Sequence, residues 1–303
     1  MEQSICFFSS FFTSAEVPYY VKYYVEELNR HFTKVIFLTN EKKLSSESLA
    51  YFQNENIELK LVKNEGFDFG MWYKAFNEYE VSSYDCVGLI NDSCILFRTI
   101  DDVFEKIKAS TSEYIGMIKS NRYHPHIQSF FVVMKGKAIG LAKEYFNTHK
   151  LVSDYRQVIQ TYEIGMSKFM SENGVVIEGL YNKGFESYEK NPSFARVREL
   201  IEEGMPLIKK KIVFRNYRGL EFYWIIRMNF DADYRKYVRQ IQQMYPSSQV
   251  IDFSKVMKDA PSQHHRDIFW FKIGRGIANF FRKIPFARPV FHGVISLLKK
   301  FRK

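Results

Sequence analysis

The sequence predicts an α/β fold in which helices flank a mostly parallel sheet. Strand-like apolar runs alternate with helical patterns along most of the chain, which is the pattern of β-α-β units. Some runs are almost continuously apolar, as in Cys86–Ile90, and such strands suit a sheet that is covered on both faces. With 303 residues, of which 46% are hydrophobic, the chain is long enough to bury a large core.

The first hundred residues contain four predicted strands and two predicted helices. Pro18 marks the start of the first helix, because its fixed φ suits a first turn. Ile57, Leu59 and Leu61 alternate with polar residues in the third strand. The predicted strands are 4–12, 34–40, 57–64 and 84–97, and the predicted helices are 18–32 and 70–79.

The alternation continues after residue 100. Gly174 and Gly204 each end a helical pattern, because glycine readily adopts the left-handed conformation that follows a helix. We find no internal repeat and no low-complexity linker in the sequence. The predicted elements are a helix at 101–110, strands at 113–118 and 127–134, helices at 136–146 and 154–174, and a helical segment at 191–206.

Polar residues stand where three of the predicted strands end. Asn40 and Asn64 close the second and third strands, and "NDS" (91–93) interrupts the fourth. Ligands bind beyond the carboxyl ends of the strands in such sheets, so these residues would line one crevice. Asparagine and aspartate also form turns readily, which is the alternative explanation for any one of them. Three such positions in series, with Asp92 inside an apolar segment, favour a site.

A glycine-punctuated segment, "NEGFDFG", follows the third strand. Gly66 and Gly70 would let the backbone approach a diphosphate or a ribose, and Asp68 would accept a hydrogen bond from a hydroxyl. The spacing matches neither GxGxxG nor a P-loop, so it does not specify a nucleotide by itself. The alternative is a tight turn that places Asp68 near the N-terminus of a helix, where its negative charge is favourable.

Two further segments carry residues suited to substrate contact. In "YHPHIQSFF", His124 and His126 lack a third metal ligand, so a loop that contacts substrate is favoured over a zinc site. Gln128 and Ser129, just before an apolar strand, are suited to binding hydroxyls. In "TYEIGMSKF", Glu163 lies at the edge of an apolar helical stripe, either on the surface or facing a cleft.

The net charge of +10 is concentrated at the C-terminal end. Nine Lys and Arg residues and no acidic residue lie between Phe271 and Lys303, whereas the other 270 residues carry 35 basic and 34 acidic residues. From Ile268, apolar residues recur at helical spacing with basic residues between them, which is typical of a helix lying on an anionic membrane surface. A helix packed on the protein's own core and a nucleic-acid-binding segment are the alternatives. The neutral body and the lack of a known nucleic-acid module argue against nucleic acid.

Other features of the sequence indicate a protein of the cytoplasm. Cys6, Cys86 and Cys94 lie in apolar runs and form no CxxC pair, so we expect buried free thiols. No apolar run approaches the ~20 residues of a transmembrane helix, and no positive region of a signal peptide precedes the first strand. We therefore expect a cytoplasmic protein that is attached peripherally, through its tail, to the inner face of the cell membrane.

Five segments carry a family resemblance: "NEGFDFG", "LINDS", "HIQSFFVV", "YEIGMSKFM" and "NPSFARVRELIEEGMPLIKKKI". Their order and approximate spacing, over roughly residues 4–215, resemble the rhamnan synthesis protein F family, whose members are glycosyltransferases of bacterial cell-wall rhamnan, capsule and lipopolysaccharide. The resemblance implies a GT-A-like nucleotide-sugar-binding fold, dTDP-rhamnose as the donor and a polyprenyl-linked glycan as the acceptor. After "NDS" the family commonly has an aromatic-Gly-Pro turn, where this chain has "CILF", so the resemblance does not fix rhamnose as the sugar.

The "NDS" segment also resembles the acidic strand-end motif of nucleotide-sugar transferases. In those enzymes carboxylates hold a divalent cation against the diphosphate of the donor, and the metal neutralises the charge of the leaving group. The resemblance implies Mg²⁺ or Mn²⁺ held by Asp92, because one or two carboxylates suffice when phosphates and waters complete the site.

The sequence thus predicts a glycosyltransferase with a GT-A-like domain at 1–215, a helical extension at 216–267 and a membrane-associating tail at 268–303. Glu163 is the first candidate for the base that takes the proton of the acceptor hydroxyl, and Asp68 is the second. The predicted donor-binding residues are Ser9, Asn40, Asn64, Gly66, Asp68, Asn91, Asp92 and Ser93, and the predicted acceptor-binding residues are His126, Gln128 and Ser129. The alternatives are a non-catalytic partner in glycan assembly with the same fold and, less favoured, a basic nucleic-acid-binding protein.

Overall fold

The computed structural model of the protein describes residues 3–182 and 191–215. These residues form the strands β1 (Ser4–Ser10), β2 (Lys34–Asn40), β3 (Glu58–Val62), β4 (Cys86–Asn91), β5 (Cys94–Leu96), β6 (Tyr114–Gly116), β7 (Lys119–Ser120), β8 (His126–Ile127), β9 (Phe131–Lys135), β10 (Ile177–Gly179) and β11 (Leu207–Lys209). Seven of them make one sheet with the order β10-β6-β9-β4-β1-β2-β3, and two small sheets pair β11 with β5 and β7 with β8.

Neighbouring strands of the large sheet run parallel except at β9, which is antiparallel to both β4 and β6. The central strand β4 and its neighbour β1 are buried at every position. Along β1, Ile5 and Phe7 join the core on one face of the sheet, and Cys6 and Phe8 join the core on the other. Burial on both faces explains the continuous apolar runs. The predicted α/β class, with a mostly parallel sheet and flanking helices, is confirmed.

The helices cover the two faces of this sheet. On one face, the ring of Tyr24 meets Phe8 edge to face; on the other, the Trp72 indole N–H donates to the Phe7 carbonyl oxygen at 3.1 Å. The helices are α1 (Tyr19–Asn29), α2 (Ser46–Asn54), α3 (Phe67–Glu78), α4 (Asp101–Ala109), α5 (Lys137–Thr148), α6 (Tyr155–Val158), α7 (Gly165–Glu172), α8 (Pro192–Ala195), α9 (Val197–Glu202) and α10 (Lys210–Arg215), with a 3₁₀ turn at Val81–Ser83 and a π-helix at Ile159–Ile164.

The prediction of one strand over 84–97 is wrong. β4 ends at Asn91, and after a two-residue turn the chain enters β5, which leaves the large sheet and pairs antiparallel with β11. The polar residues of "NDS" interrupt the apolar run because the chain changes sheets there.

Helix α2 was not predicted from the sequence. It has a weak apolar stripe, since Ser48 and Phe52 are its buried residues. Its N-terminus is set by Ser45, whose side chain accepts a hydrogen bond from the Ser48 backbone N–H at 3.1 Å. A capped, mostly exposed helix of this kind gives little periodicity to detect.

Several sequence predictions concern residues beyond this fold. The predicted extension at 216–267 and the basic tail at 268–303 lie outside the described residues. Within 3–182 and 191–215, no helix has the length and apolar character needed to cross a membrane. The three cysteines are free and buried, as predicted.

Candidate functional site

Strand ends meet at one edge of the sheet and bring most of the predicted site residues together. Ser9 pairs with Asn91 across β1 and β4. The Asp92 backbone N–H donates to the Ser9 carbonyl oxygen at 3.1 Å, and the Asn91 N–H donates to the Phe130 carbonyl oxygen at 3.2 Å. Because β9 is antiparallel, it begins at the edge where β1 and β4 end. The residues just before β9 therefore lie beside the "NDS" turn.

The carboxylate of Asp92 is buried, with 6% of the residue exposed, and is held by charged and polar partners. Its Oδ2 lies 2.9 Å from the Lys210 ammonium. The same oxygen accepts hydrogen bonds from the hydroxyls of Ser10, at 2.9 Å, and Tyr20, at 3.4 Å. Burial of a charge is tolerated when it is paired and hydrogen-bonded in this way. The Tyr20 hydroxyl also accepts from Lys210 at 3.2 Å, so these groups form one network.

Two lysines that were not predicted as site residues enter the site, Lys209 from the end of β11 and Lys210 from the start of α10. The pairing of β11 with β5 aligns Lys209 with Cys94. The Lys210 backbone N–H donates to the Ser93 carbonyl oxygen at 2.9 Å, and the Lys209 ammonium donates to the Ser93 hydroxyl at 3.1 Å. The Lys209 ammonium also lies 4.1 Å from the ring centroid of Phe130. The sequence feature that contains these lysines is the run "IKKK" at 208–211. It served only as part of one of the segments that carry the family resemblance.

Asp68 reaches the same edge from the first turn of α3. Its Oδ2 accepts from the Asn91 side-chain amide at 2.7 Å, and its Oδ1 accepts from the Ser9 hydroxyl at 3.3 Å. Burial, and after it the negative charge of Asp92, raises the pKa of the Asp68 carboxyl to about 6. The helix begins at Phe67, three residues before the predicted start. The position near a helix N-terminus, which was the alternative explanation for Asp68, is therefore present together with the contacts to Ser9 and Asn91.

We call the groups around Asp92 the Asp92 cluster. Its members are Ser9, Ser10, Tyr20, Asp68, Asn91, Asp92, Ser93, Lys209 and Lys210.

The other predicted donor residues are less closely connected to this cluster. Gly66 has a φ of 75°, and a Cβ there would lie 2.7 Å from the Leu151 side chain, so local packing already requires glycine. Asn40 ends β2 and accepts a hydrogen bond from the Thr39 hydroxyl at 3.3 Å. Asn64 is exposed. Among the described residues, no side-chain hydrogen bond joins these three to the Asp92 cluster, and their donor-binding roles stay predictions.

A second cluster forms around Glu163. Its Oε2 accepts from the Ser129 backbone N–H at 2.9 Å and from the Ser129 hydroxyl at 2.5 Å. The Nε2 of His126 lies 3.7 Å from Oε1. The Ser167 hydroxyl donates to the Glu163 carbonyl oxygen at 3.0 Å and accepts from the Ile127 N–H at 3.1 Å, which ties the helix to the chain before β9. We call Glu163, Ser129, His126 and Ser167 the Glu163 cluster.

The helix that carries Glu163 is not regular. The sequence predicts one helix over 154–174, but the structure divides this segment into α6, the π-helix Ile159–Ile164 and α7. A π-helix adds a residue to the turn and changes the direction in which the side chains point, and it often occurs at functional sites. Glu163 lies within it and retains 21% side-chain exposure.

The predicted acceptor residues divide between two environments. His126 and Ser129 face Glu163, whereas the Gln128 side-chain amide donates to Asn191 Oδ1 at 2.8 Å. Asn191 is the N-cap of α8, so this bond fastens α8 to the chain before β9. The Gln128 Oε1 is buried and has no hydrogen-bond partner among the described residues. His126 Nδ1 lies 2.7 Å from the His124 carbonyl oxygen, which fixes the ring.

The contacts of the two carboxylates do not suit a resident divalent cation. Asp92 Oδ2 is occupied by Lys210 and two hydroxyls, and Asp68 accepts hydrogen bonds at both oxygens. Within the described parts of the chain, no group of three or more His, Cys, Asp or Glu is arranged to hold a metal. Mg²⁺ and Mn²⁺ need oxygen ligands that are not already engaged by an ammonium. The metal-binding role of Asp92 stays a prediction that these contacts do not favour.

Comparison with solved structures finds matches of low sequence identity, with TM-scores below 0.5. A cytidylyltransferase from Leptospira borgpetersenii serovar Hardjo-bovis (strain JB197) is 9% identical, with a TM-score of 0.44, over 81% of this chain and 98% of that chain. The mannosyltransferase PcManGT from Pyrobaculum calidifontis, solved with GDP-Man and Mn²⁺, is 7% identical, with a TM-score of 0.39, over 66% of this chain and 63% of that one. A 4-diphosphocytidyl-2C-methyl-D-erythritol synthase from Anaerococcus prevotii DSM 20548 is 10% identical, with a TM-score of 0.38, over 66% and 96%.

No curated protein matches the sequence significantly. The family model of rhamnan synthesis protein F matches residues 35–268, which is more than half of the chain. This match extends about fifty residues beyond the segment, roughly 4–215, in which the motifs had suggested it. The protein is therefore a glycosyltransferase-like member of the rhamnan synthesis protein F family.

Proposed function

We propose that this protein transfers a sugar from a nucleotide-sugar donor to a glycan acceptor. The observation that carries the proposal is the position of the two clusters side by side at one edge of the sheet. The Asp92 cluster supplies ammonium groups that suit a diphosphate, and the Glu163 cluster supplies a partly exposed carboxylate that suits a hydroxyl. The link between them is the backbone hydrogen bond from Asn91 to Phe130, the residue after Ser129.

In the proposed reaction, the bond between sugar C1 and the diphosphate oxygen breaks, and its electron pair stays on that oxygen. A new bond joins C1 to the acceptor oxygen, and the proton of the acceptor hydroxyl passes to Glu163. A base in this position contributes a factor of about 10²–10⁴ to the rate. Asp68 is the second candidate for the base, although both of its oxygens already accept hydrogen bonds from Ser9 and Asn91.

Family membership supports a finer version of this proposal. The donor is dTDP-rhamnose, the acceptor is a polyprenyl-linked glycan, and the product belongs to a cell-surface polysaccharide. The protein works at the cytoplasmic face of the cell membrane, where the basic tail at 268–303 binds anionic lipids. The charge pattern of the tail supports this location, since nine basic residues and no acidic one lie between Phe271 and Lys303.

Nucleotide-sugar binding and turnover by the full-length protein test the proposal. Each of dTDP-rhamnose, dTDP-glucose, UDP-glucose and GDP-mannose is added in EDTA, in Mg²⁺ and in Mn²⁺, and thermal unfolding is followed. A donor at 100 times its Kd stabilises the folded state by about 2.7 kcal/mol, so dTDP-rhamnose should give a clear shift. Transfer to a polyprenyl-linked acceptor is then measured by mass spectrometry. Binding without any turnover would instead indicate a non-catalytic partner in glycan assembly.

Deletion of residues 268–303 tests the membrane part separately. The truncated protein should bind donor and use a soluble acceptor analogue, because the clusters are built from residues 9–210. It should no longer sediment with anionic vesicles, whereas high salt should release the full-length protein only in part, since apolar burial persists when charges are screened. If the truncated protein aggregates and the intact protein ignores the vesicles, the tail packs on the protein itself.

A further inference from the structure

We infer that Lys210, supported by Lys209 and Lys42, supplies the positive charge for the diphosphate, and that nucleoside diphosphates bind this protein without a divalent cation. The inference rests on the proposed function for the identity of the ligand. It assigns a role to three residues that neither the strand-end pattern nor the family resemblance had placed in the site.

The ammonium of Lys210 is held in place by the fold. Its side chain is 10% exposed, and its Nζ lies 2.9 Å from Asp92 Oδ2 and 3.2 Å from the Tyr20 hydroxyl. The backbone is fixed as well, since the Lys210 N–H donates to the Ser93 carbonyl oxygen inside the "NDS" turn. Burying an ammonium group costs desolvation free energy, and pairing it with a carboxylate often does no more than offset that cost. The presence of Lys210 here therefore calls for a reason other than stability. It sits on the carboxylate that was expected to hold a metal, at the edge of the sheet where ligands bind.

Two further lysines add to the positive charge at this edge. Lys209 contacts the Ser93 hydroxyl at 3.1 Å. Lys42 donates to the Phe12 carbonyl oxygen at 2.5 Å, and its pKa is lowered to about 8 by burial, an effect that the charge of Asp92 opposes. Three ammonium groups therefore lie at the same edge as the carboxylates of Asp92 and Asp68: Lys210 contacts Asp92, Lys209 contacts the neighbouring Ser93, and Lys42 interacts with Asp92 through its charge. The local charge is positive when all five groups are ionised, which favours an anionic ligand.

An ammonium at this position does the electrostatic work that a metal would do. When the C1–oxygen bond breaks, the departing nucleoside diphosphate gains one negative charge, and a fixed positive group nearby stabilises that charge. Asp92 acts in this arrangement as a positioning residue, because its carboxylate holds the Lys210 ammonium. Asp92 need not touch the diphosphate.

Calorimetric titration of the full-length protein with dTDP, in EDTA and then in Mg²⁺ or Mn²⁺, tests the inference. We expect binding in EDTA, with a Kd that changes by less than ~3-fold when either metal is added. Lys210→Met should weaken dTDP binding at least ~30-fold, because an ammonium–phosphate contact contributes on the order of 2 kcal/mol. Lys211→Met removes the same charge from the adjacent, exposed position and should leave the Kd unchanged.

Two further variants separate a lysine site from a metal site. Asp92→Asn keeps the ammonium and removes the carboxylate, so dTDP should still bind in EDTA within ~5-fold of the unaltered protein. Asp92→Asn combined with Lys210→Met removes both buried charges, which protects the fold if Lys210→Met alone does not fold. The double variant should lose dTDP binding to the same extent as Lys210→Met.

The results that overturn the inference differ from those that overturn the proposed function. If dTDP binds only after Mg²⁺ or Mn²⁺ is added, and Asp92→Asn abolishes that binding, Asp92 is a metal ligand and the inference is wrong, although a glycosyltransferase remains. If the folded double variant binds dTDP normally, Lys210 is only a structural partner of Asp92. If the folded full-length protein binds none of dTDP, UDP and GDP under any of these conditions, the proposed function itself fails.

Discussion

The Asp92 cluster and the Glu163 cluster lie at neighbouring strand ends of one sheet, but they hold their carboxylates in different ways. Asp92 is paired with the ammonium of Lys210, so a full opposite charge cancels its own. Glu163 accepts hydrogen bonds from the backbone N–H and hydroxyl of Ser129, which carry no net charge. His126, with Nε2 at 3.7 Å from Glu163, forms an ion pair there only when its ring is protonated.

This difference suggests that the two clusters have different roles, which we call the division between the clusters. The Asp92 carboxylate is already engaged by the ammonium of Lys210 and by the hydroxyls of Ser10 and Tyr20, so it is poorly placed to take a proton from a substrate. If Glu163 took up a proton, Ser129 would lose only part of a hydrogen bond, because neutral donors need no counter-charge. The first cluster therefore suits the binding of charge and the second suits the transfer of a proton. The following predictions test that division.

The largest effect is expected from Glu163→Gln. Glutamine keeps the size of the side chain but cannot accept the acceptor's proton, so kcat should fall by about 10³-fold, within the range of general base catalysis. The Kd for dTDP should not change, since an interaction used only in the transition state leaves donor binding intact. Steady-state kinetics and calorimetry measure the two quantities.

Glu172→Gln is the matched control for this variant. Glu172 lies on α7 with a 62% exposed side chain, paired to Lys168 at 3.6 Å, and its replacement should change neither quantity. A collapse of dTDP affinity in Glu163→Gln would mean that Glu163 belongs to the donor site and that the division between the clusters is wrong.

Stability measurements sharpen the same comparison. Lys210→Met removes the ammonium that contacts the buried Asp92 carboxylate at 2.9 Å, and we expect the free energy of unfolding to fall by about 3–5 kcal/mol. Adding Asp92→Asn should recover part of this loss, because the unpaired charge is then gone.

In the Glu163 cluster, Ser129→Ala removes one neutral donor and leaves the backbone N–H in place, so the free energy of unfolding should fall by only about 1–2 kcal/mol. Urea unfolding at pH 7 gives all three values. A double variant as unstable as Lys210→Met would show that the ion pair is not what stabilises this cluster.

The sequence was sufficient for six of the seven strands of the large sheet, all but β10, and for much of the Asp92 cluster. Burial on both faces gives β1, β2 and β4 apolar runs that can be recognised locally. The carboxyl ends of parallel strands share an edge, so polar residues at those ends predict a common crevice without any knowledge of side-chain positions. This rule selected Asn40, Asn64 and residues 91–93, and of these only residues 91–93 belong to the Asp92 cluster. Asp68 was predicted from the glycine-punctuated segment instead, and it accepts hydrogen bonds from Ser9 and Asn91.

The lysines could not be predicted in the same way. Lys209 contacts Ser93 across 116 residues of sequence, and the contact depends on β5 leaving the large sheet to pair with β11. Local periodicity carries no information about such a pairing, and β5 was read as the continuation of β4. The π-helix around Glu163 is similar, because its apolar spacing resembles that of a regular helix until the extra residue is seen.

The smallest effect concerns Asp68, and it is visible only as a function of pH. The pKa of this carboxyl is raised to about 6, first by burial and then by the charge of Asp92, so the folded protein keeps this proton to a higher pH than the unfolded chain does. The stability that this proton provides is complete below the unfolded pKa, near 4, and is lost as the pH rises through about 6. Asparagine does not titrate, so the Asp68→Asn variant does not lose this stability as the pH rises. The stability of the variant relative to the unaltered protein should therefore rise by on the order of 1–2 kcal/mol between pH 4 and pH 6.5, after allowance for partial exposure. Urea unfolding at half-unit pH steps measures the difference.

Glu80→Gln is the control of opposite sign, since hydrogen bonds from Lys143 and Ser82 lower the pKa of Glu80 to about 2. Its replacement should lower the free energy of unfolding above the unfolded pKa of Glu80, and this effect should fade as the pH falls. A difference for Asp68→Asn that does not vary with pH would mean that Asp68 titrates as an ordinary surface carboxyl, and that neither its burial nor the charge of Asp92 affects its proton.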